Sequence, residues 1–143
     1  MKRHFLSIKQ EQKIVKAIRK AELKTSGEIR VHICFEPNSN HFDQAVAVFN
    51  ALKMDETAAQ NAVLFHVSPP DKNLTIIGGK GINETVPKDF WDKVYKKVAR
   101  KFKKRKYKKG LIKGISMCGD ELKKYYPRSA DDKNELPDEI SWS

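Results

Sequence analysis

Residues 62–84 read AVLFHVSPPDKNLTIIGGKGINE, and the predicted fold is built around them. Its two apolar runs, Ala62 to Ser68 and Leu74 to Gly78, are typical of buried strands. The turn-forming residues between them, Pro69 to Asn73, are few enough for a hairpin, so we predict two antiparallel strands. Three glycines in four residues follow, and they allow positive φ angles and a close approach of the backbone to a ligand. Such a loop can hold either a phosphate or a cation.

Helices and one further strand are predicted around this hairpin. Ser7 and Gln10 form a predicted capping box at the start of the first helix. Apolar and polar residues alternate from Glu28 to Glu36, which is the period of a strand. The predicted helices run from Ser7 to about Thr25, from Phe42 to about Lys53, from Thr85 and Pro87 onward, and from Lys109 to Tyr126. The helix between the first two strands forms a crossover, so these strands should be parallel.

This topology predicts a cation site at one edge of the sheet. The start of the first strand, the approach to the second and the exit from the third share that edge. The segments carry carboxylate and amide oxygens, together with carbonyls left accessible by glycine, and hard cations such as Ca²⁺ or Mg²⁺ prefer these ligands. The predicted ligands are Glu28, Asp55, Glu56, Asn61, Gly79, Gly81, Asn83 and Glu84. Solvated loop acids are the competing interpretation. Phosphate binding is disfavoured because no Gly-Lys-Ser/Thr closes the loop and its helix is predicted to begin several residues later.

The histidines and cysteines do not predict a second centre. His4, His32, His41 and His66 lack ligand-like spacing, so a zinc site is disfavoured. We expect His32 and His66 to be ordinary packed or surface histidines on neighbouring strands. Cys34 and Cys118 form no CxxC pair, and we expect two reduced thiols packed as small apolar groups.

The net charge of +11 arises in one segment. Residues 93–109 contain eleven Lys or Arg and no acid, which leaves equal numbers of bases and acids elsewhere. Apolar residues recur at helical spacing from Phe90 to Phe102, so the lysines should line the outer face of an amphipathic helix. Nucleic acid or an anionic membrane could bind such a face. We favour a solvated face, because no RNP motif, zinc knuckle or helix-turn-helix signature accompanies it.

A chain of 143 residues fits one domain. We assign residues 1–127 to this domain and residues 128–143 to an acidic tail that is docked or partly disordered. If docked, the tail could donate oxygens from Asp132, Glu135 and Asp138 to the cation site. No apolar run is long enough to cross a membrane and the start lacks a signal-peptide pattern, so we expect a cytoplasmic protein.

Several segments resemble the TPM domain family, named partly for a thylakoid lumen phosphatase. The similar segments are TSGEIRV at 25–31, NAVL at 61–64, IIGGKGI at 76–82 with Phe90-Trp91, and the tail DKNELPDE at 132–139, which resembles the short stand-alone form of the family. The resemblance implies an α/β/α sandwich around a mixed four-stranded sheet. It also implies divalent cations, chiefly calcium, where two loops cross, and it suggests acid phosphatase activity. An acidic residue often precedes the second glycine of that loop in the family, whereas this chain has Lys80.

Three functional hypotheses follow. The first is a cation-responsive binding or regulatory module that acts on a protein partner the sequence does not name. The alternative is a metal-dependent acid phosphatase, which we do not favour because only Lys80, Arg30 and Asp55 are available beside the cation. Nucleic-acid binding through residues 93–109 is the third and weakest hypothesis.

Overall fold

The computed structural model describes residues 5–129 and 135–143, and it shows helices packed on both faces of one mixed sheet. The helices are α1 (Ile8–Glu22), α2 (His41–Ala51), α3 (Lys80–Asn83), α4 (Phe90–Lys103) and α5 (Tyr107–Tyr125). The strands are β1 (Glu28–Ile33), β2 (Ala62–Ser68), β3 (Asn73–Gly78) and β4 (Ser141–Trp142). A 3₁₀ turn, Met54–Glu56, precedes β2.

The sheet has the strand order β3-β2-β1-β4. β1 runs parallel to β2 with Glu28 opposite Ala62, and β2 pairs antiparallel with β3 in the predicted hairpin. β4 comes from the tail and lies parallel to the free edge of β1. The predicted crossover, hairpin and four-stranded mixed sheet are therefore confirmed.

The two faces of the sheet differ in composition. One face packs against α1, α4 and α5 and supplies the larger apolar core, with Val31 and Phe65 fully buried at its centre. The other face lies under α2, where Phe49 and Met54 pack on Ala62 and Leu64. These layers confirm the α/β/α sandwich.

The α2 face also buries polar residues, because the strand period of two places them there together. Arg30 and His32 of β1 and His66 and Ser68 of β2 are all buried on it. The apolar cluster on this face is small, with Phe49, Met54, Ala62 and Leu64 as its buried members. The candidate sites lie on this face or at its edges.

Local sequence signals explain much of the element structure. The capping box of α1 is present, with the Ser7 hydroxyl accepting from the Gln10 amide at 3.1 Å and the Gln10 side chain accepting from the Ser7 amide at 2.9 Å. The basic segment is amphipathic within α4, as predicted, since α4 buries Phe90, Val94 and Val98 and exposes most of its lysines. It is not one helix, however, because α4 ends at Lys103 and α5 begins at Tyr107. Among the described residues, no helix combines the length and the apolar character that crossing a lipid bilayer requires.

Several predicted details were wrong. The helix expected from Thr85 and Pro87 onward begins at Phe90. β1 ends at Ile33 rather than Glu36, although the Cys34 amide still donates to the Val67 carbonyl at 2.8 Å. The glycine loop does not precede a distant helix, because residues 80–83 themselves form α3. Nor do its glycines use positive φ: within residues 5–129 and 135–143 that conformation occurs only at non-glycine residues.

Candidate functional site

The glycine loop crosses the segment before β2, as predicted. The Gly79 amide donates to the Ala62 carbonyl at 2.8 Å, and the Gly81 amide donates to the Gln60 carbonyl at 3.0 Å. A Cβ atom at Gly79 would overlap the Gln60 carbonyl, and one at Gly81 would overlap the Ala59 carbonyl. Glycine is therefore required here because two backbones touch, and not because of a special backbone conformation.

Asn83 joins this loop to α4. Its Nδ2 donates to the Gly78 carbonyl at 3.0 Å, and its Oδ1 accepts from the indole Nε1 of Trp91 at 2.9 Å. Both the nitrogen and the oxygen of this amide are thus used to hold the loop. The Asn83 side chain is therefore not free to act as the predicted cation ligand.

The predicted carboxylates of the two loops lie at the surface. Asp55, Glu56 and Glu84 are exposed, and in the described part of the chain they belong to no group of three His, Cys, Asp or Glu side chains within ligand distance. The neighbouring Thr57 was not predicted, yet its hydroxyl is buried without a hydrogen-bond partner among the described residues. Asn61 is buried, and its side-chain amide lies 3.4 Å from the Ser26 hydroxyl.

The Glu28 side chain binds the backbone of the tail. Its carboxylate is buried, and its two oxygens accept from the backbone amides of Glu135 and Leu136, each at 3.1 Å. Burial raises the pKa of Glu28, and the two amide donors partly offset this rise. The Glu135 carboxylate in turn accepts from the Ala58 amide at 3.4 Å. The tail is therefore tied both to β1 and to one of the crossing loops.

The second described tail acid, Asp138, lies beside Glu22 and 3.4 Å from the Arg19 guanidinium. Burial, followed by a hydrogen bond with Asp138, raises the pKa of Glu22 to about 9. Sequence reasoning missed Glu22, although a position four residues after the inward-facing Ile18 signals a buried acid. Asp132, the third predicted tail ligand, lies outside the described residues.

The two cationic groups that the sequence offered, Lys80 and Arg30, are held differently. Lys80 is exposed. Arg30 is buried and donates through Nη2 to the Glu139 carbonyl of the tail at 3.3 Å. Burial lowers the pKa of Arg30, while Glu139 and Asp138 oppose that effect.

His32, Cys34 and His66 form a separate group on the α2 face. Their ligand atoms all lie within 4.8 Å of one another, and the two rings stack with centroids 5.5 Å apart. Both histidines are neutral at pH 7 because burial lowers each pKa to about 4. No spacing pattern in the sequence predicts this group, because it arises from the parallel register that places His32 opposite His66.

The polar atoms of this group are unequally satisfied. The His32 ring nitrogens lie 2.6 Å from the Ser141 hydroxyl and 2.7 Å from the Ser143 hydroxyl. Neither ring nitrogen of His66 has a hydrogen-bond partner in the described structure, and the Ser68 hydroxyl beneath α2 has none either. Burying an unsatisfied polar atom costs about 1–3 kcal/mol, so this group calls for an explanation.

Comparison with known proteins places the chain in a family. Residues 2–121 match the TPM domain. The chain belongs to the TPM domain family. Among solved structures, this TPM domain is similar to the BA42 protein of the psychrophilic bacterium Bizionia argentinensis, with 46% identity and a TM-score of 0.93. That match covers 99% of this chain and 97% of BA42.

A more distant structure shares the fold of this TPM domain. The N-terminal domain of a protein from P. gingivalis matches with a TM-score of 0.72 and 15% identity, covering 88% of this chain and 83% of that one. At this identity the likeness shows the fold alone. No curated protein matches the chain.

Proposed function

We propose that this TPM domain is a divalent-cation-responsive binding module, with Ca²⁺ as the leading cation and Mg²⁺ as the second candidate. The observation that carries the proposal is the contact between the two loops at Gly79 and Gly81. Because the backbones already touch there, an ion bound by side chains of both loops would stiffen one junction.

The donor chemistry at this junction fits a hard cation. The carboxylates of Asp55, Glu56 and Glu84 are exposed and the Thr57 hydroxyl is unpartnered among the described residues, so oxygen donors come from both loops. These residues would hold the ion, which when bound would neutralise the loop carboxylates. Asn83 would support the site by fixing the loop against Trp91.

The tail is the element whose position would change when a cation binds to the crossing loops. Glu135 contacts Ala58 in one crossing loop and Glu28 at the start of β1. A change in the loop at residues 55–58 therefore reaches the tail through a direct hydrogen bond. We infer that cation binding alters how the tail docks and so alters the surface offered to a protein partner.

The alternative, a metal-dependent acid phosphatase, has less support. Phosphoryl transfer needs cationic groups around the transferring phosphate. Here Arg30 contacts the tail, and Lys80 is an exposed side chain of the glycine loop with no ion pair to a described residue, so neither is fixed as a phosphate clamp. Nucleic-acid binding through residues 93–109 stays a weaker prediction. The basic residues at 93–103 belong to the amphipathic helix α4, which buries its apolar side, and those at 104–109 lie in the link to α5 and its first turn.

A Ca²⁺ titration followed by amide NMR tests the proposal. Resonances of residues 55–61 and 78–84 should shift with one saturating curve, and the amides of Glu135 and Leu136 should follow it. The combined variant Asp55→Asn, Glu56→Gln, Glu84→Gln should lose the response. The matched control is Asp89→Asn, Asp92→Asn, which neutralises the N-cap residue of α4 and an acid in its first turn. This control should keep the response to Ca²⁺. Unchanged spectra at millimolar Ca²⁺ and Mg²⁺ would refute the proposal.

A further inference from the structure

We propose that His32, Cys34 and His66 bind one thiophilic transition-metal ion, with Zn²⁺ as the leading candidate, at a centre separate from the crossing loops. The three ligand atoms lie within 4.8 Å of one another. His32 and His66 are on the adjacent parallel strands β1 and β2, and Cys34 follows directly after the end of β1. Two imidazole nitrogens and one sulfur suit zinc or copper, whereas Ca²⁺ and Mg²⁺ prefer oxygen. This centre and the oxygen-rich loops would therefore select different ions.

The unsatisfied ring of His66 is the second, independent observation. His66 is fully buried, yet both of its ring nitrogens lack a hydrogen-bond partner within the described residues. A neutral imidazole carries one donor and one acceptor, so a bare buried ring is unfavourable. Coordination to a metal would satisfy the acceptor nitrogen. An ordered water is the competing occupant, and the experiment below distinguishes the two.

The surroundings of the other two ligands also suit a metal. The Ser141 and Ser143 hydroxyls hold the His32 ring from both nitrogens. If one nitrogen takes the metal, the serine on the other still orients the ring, which is the usual support of a metal-bound histidine. Gln44 Nε2 lies 3.4 Å from the Cys34 sulfur and would donate to the thiolate. On binding, a sulfur–metal bond replaces the S–H bond and the proton leaves to solvent.

The trio leaves one coordination position open in a tetrahedral site. Three protein ligands with a fourth position for water or a small ligand is the arrangement of reactive rather than structural zinc centres. His32 also bonds to Ser141 of β4, so the metal and the end of the tail share a side chain. Metal binding should therefore change the environment of neighbouring Trp142, which stacks on Phe35 with centroids 6.1 Å apart.

A cobalt titration of the full reduced chain tests the proposal. Co²⁺ should bind with a stoichiometry of one and produce the near-ultraviolet absorption of a thiolate-to-cobalt bond, and Zn²⁺ should abolish that band by displacement. Long-range ¹H–¹⁵N spectra should show the ring nitrogens of His32 and His66 shifting when Zn²⁺ is added. Excess Ca²⁺ should displace neither metal, and the triple loop variant should bind Co²⁺ normally, so this result is independent of the proposed loop site.

Two cysteine variants provide the control. Cys34→Ser should eliminate the sulfur-to-cobalt band and weaken Co²⁺ binding at least about tenfold. Cys118→Ala, which changes the other buried thiol in the opposite core, should leave the band intact. If only a water molecule lies between the rings, the folded wild-type chain will show no such band, and that result overturns the proposal. It is equally overturned if Cys34→Ser keeps the band or if the His66 ring nitrogens do not respond to Zn²⁺.

Discussion

Replacing Glu22 by Gln should stabilise the protein increasingly as the pH rises. Glu22 is the last residue of α1, is 5% exposed, and accepts through Oε2 from the Ile29 amide at 3.0 Å. Burial and the adjoining Asp138 raise its pKa from 4.5 to about 9. The folded protein therefore holds a proton on Glu22 at pH 7, while the unfolded chain does not.

The size of the effect follows from proton linkage. For an acid whose pKa is raised on folding, the stabilising contribution is complete below pH 4.5 and is lost as the pH rises towards 9. The slope is about 1.4 kcal/mol per pH unit. At pH 7, 2.5 units above the unfolded pKa, the loss is about 3 kcal/mol. Glutamine keeps an acceptor for Ile29 and a donor for Asp138 and does not titrate, so the variant avoids this loss.

Urea unfolding followed by circular dichroism, at four pH values from 4.5 to 7.5, measures the difference. The variant and the wild type should be nearly equal in free energy of unfolding at pH 4.5, and the variant should gain steadily up to pH 7.5. Glu36→Gln, which changes an exposed acid after β1, is the matched control and should show a small, constant difference. A difference for Glu22→Gln that does not change with pH would refute the reasoning, because Glu22 would then titrate alike in both states.

Three further predictions concern the crossing loops and the tail. Gly81→Ala should lower the free energy of unfolding in urea by about 1–3 kcal/mol, because the new Cβ overlaps a backbone carbonyl. Lys80→Ala, at an exposed position, should change this free energy by less than about 0.5 kcal/mol. Equal effects of the two substitutions would contradict the close approach of the loops. Glu28→Gln keeps one acceptor oxygen, so it should leave one of the two tail amides unpaired and speed hydrogen exchange at Glu135 or Leu136 about tenfold or more; unaltered exchange at both would show that Glu28 does not hold the tail. Asn83→Ala should move the indole N–H resonance of Trp91 and cost about 1 kcal/mol of unfolding free energy, whereas an unmoved resonance would mean that the 2.9 Å contact is not formed.

The sequence predicted most of the fold because short-range signals and packing agree. β2 has its predicted bounds, and the hairpin, the parallel crossover and the α1 capping box are all present. Helix α3 was missed because a four-residue helix has no hydrophobic period of its own. It forms where the Gly81 amide bonds across to the Gln60 carbonyl.

The candidate site was predicted less completely. The topology predicted that these two loops meet, which the backbone contacts confirm, but it could not show that Asn83 anchors Trp91 or that Glu28 docks the tail. Those roles depend on which donors lie within about 3 Å, and a linear pattern contains no such distances. Thr57 and Glu22 were overlooked because what distinguishes them is a buried polar side chain, and burial is defined only by the packed structure.

Periodicity and backbone sterics act over short stretches of chain. They made most strands and helices, the amphipathic character of α4 and the glycines where two loops meet predictable without the structure. Tertiary structure alone decided the pairing of distant polar groups. His32 and His66 are 34 positions apart in the chain, yet the parallel register places them side by side, and the tail closes over Glu28 from more than 100 residues away. Buried polar groups need partners, and here those partners are residues that are distant in the chain and adjacent in the fold.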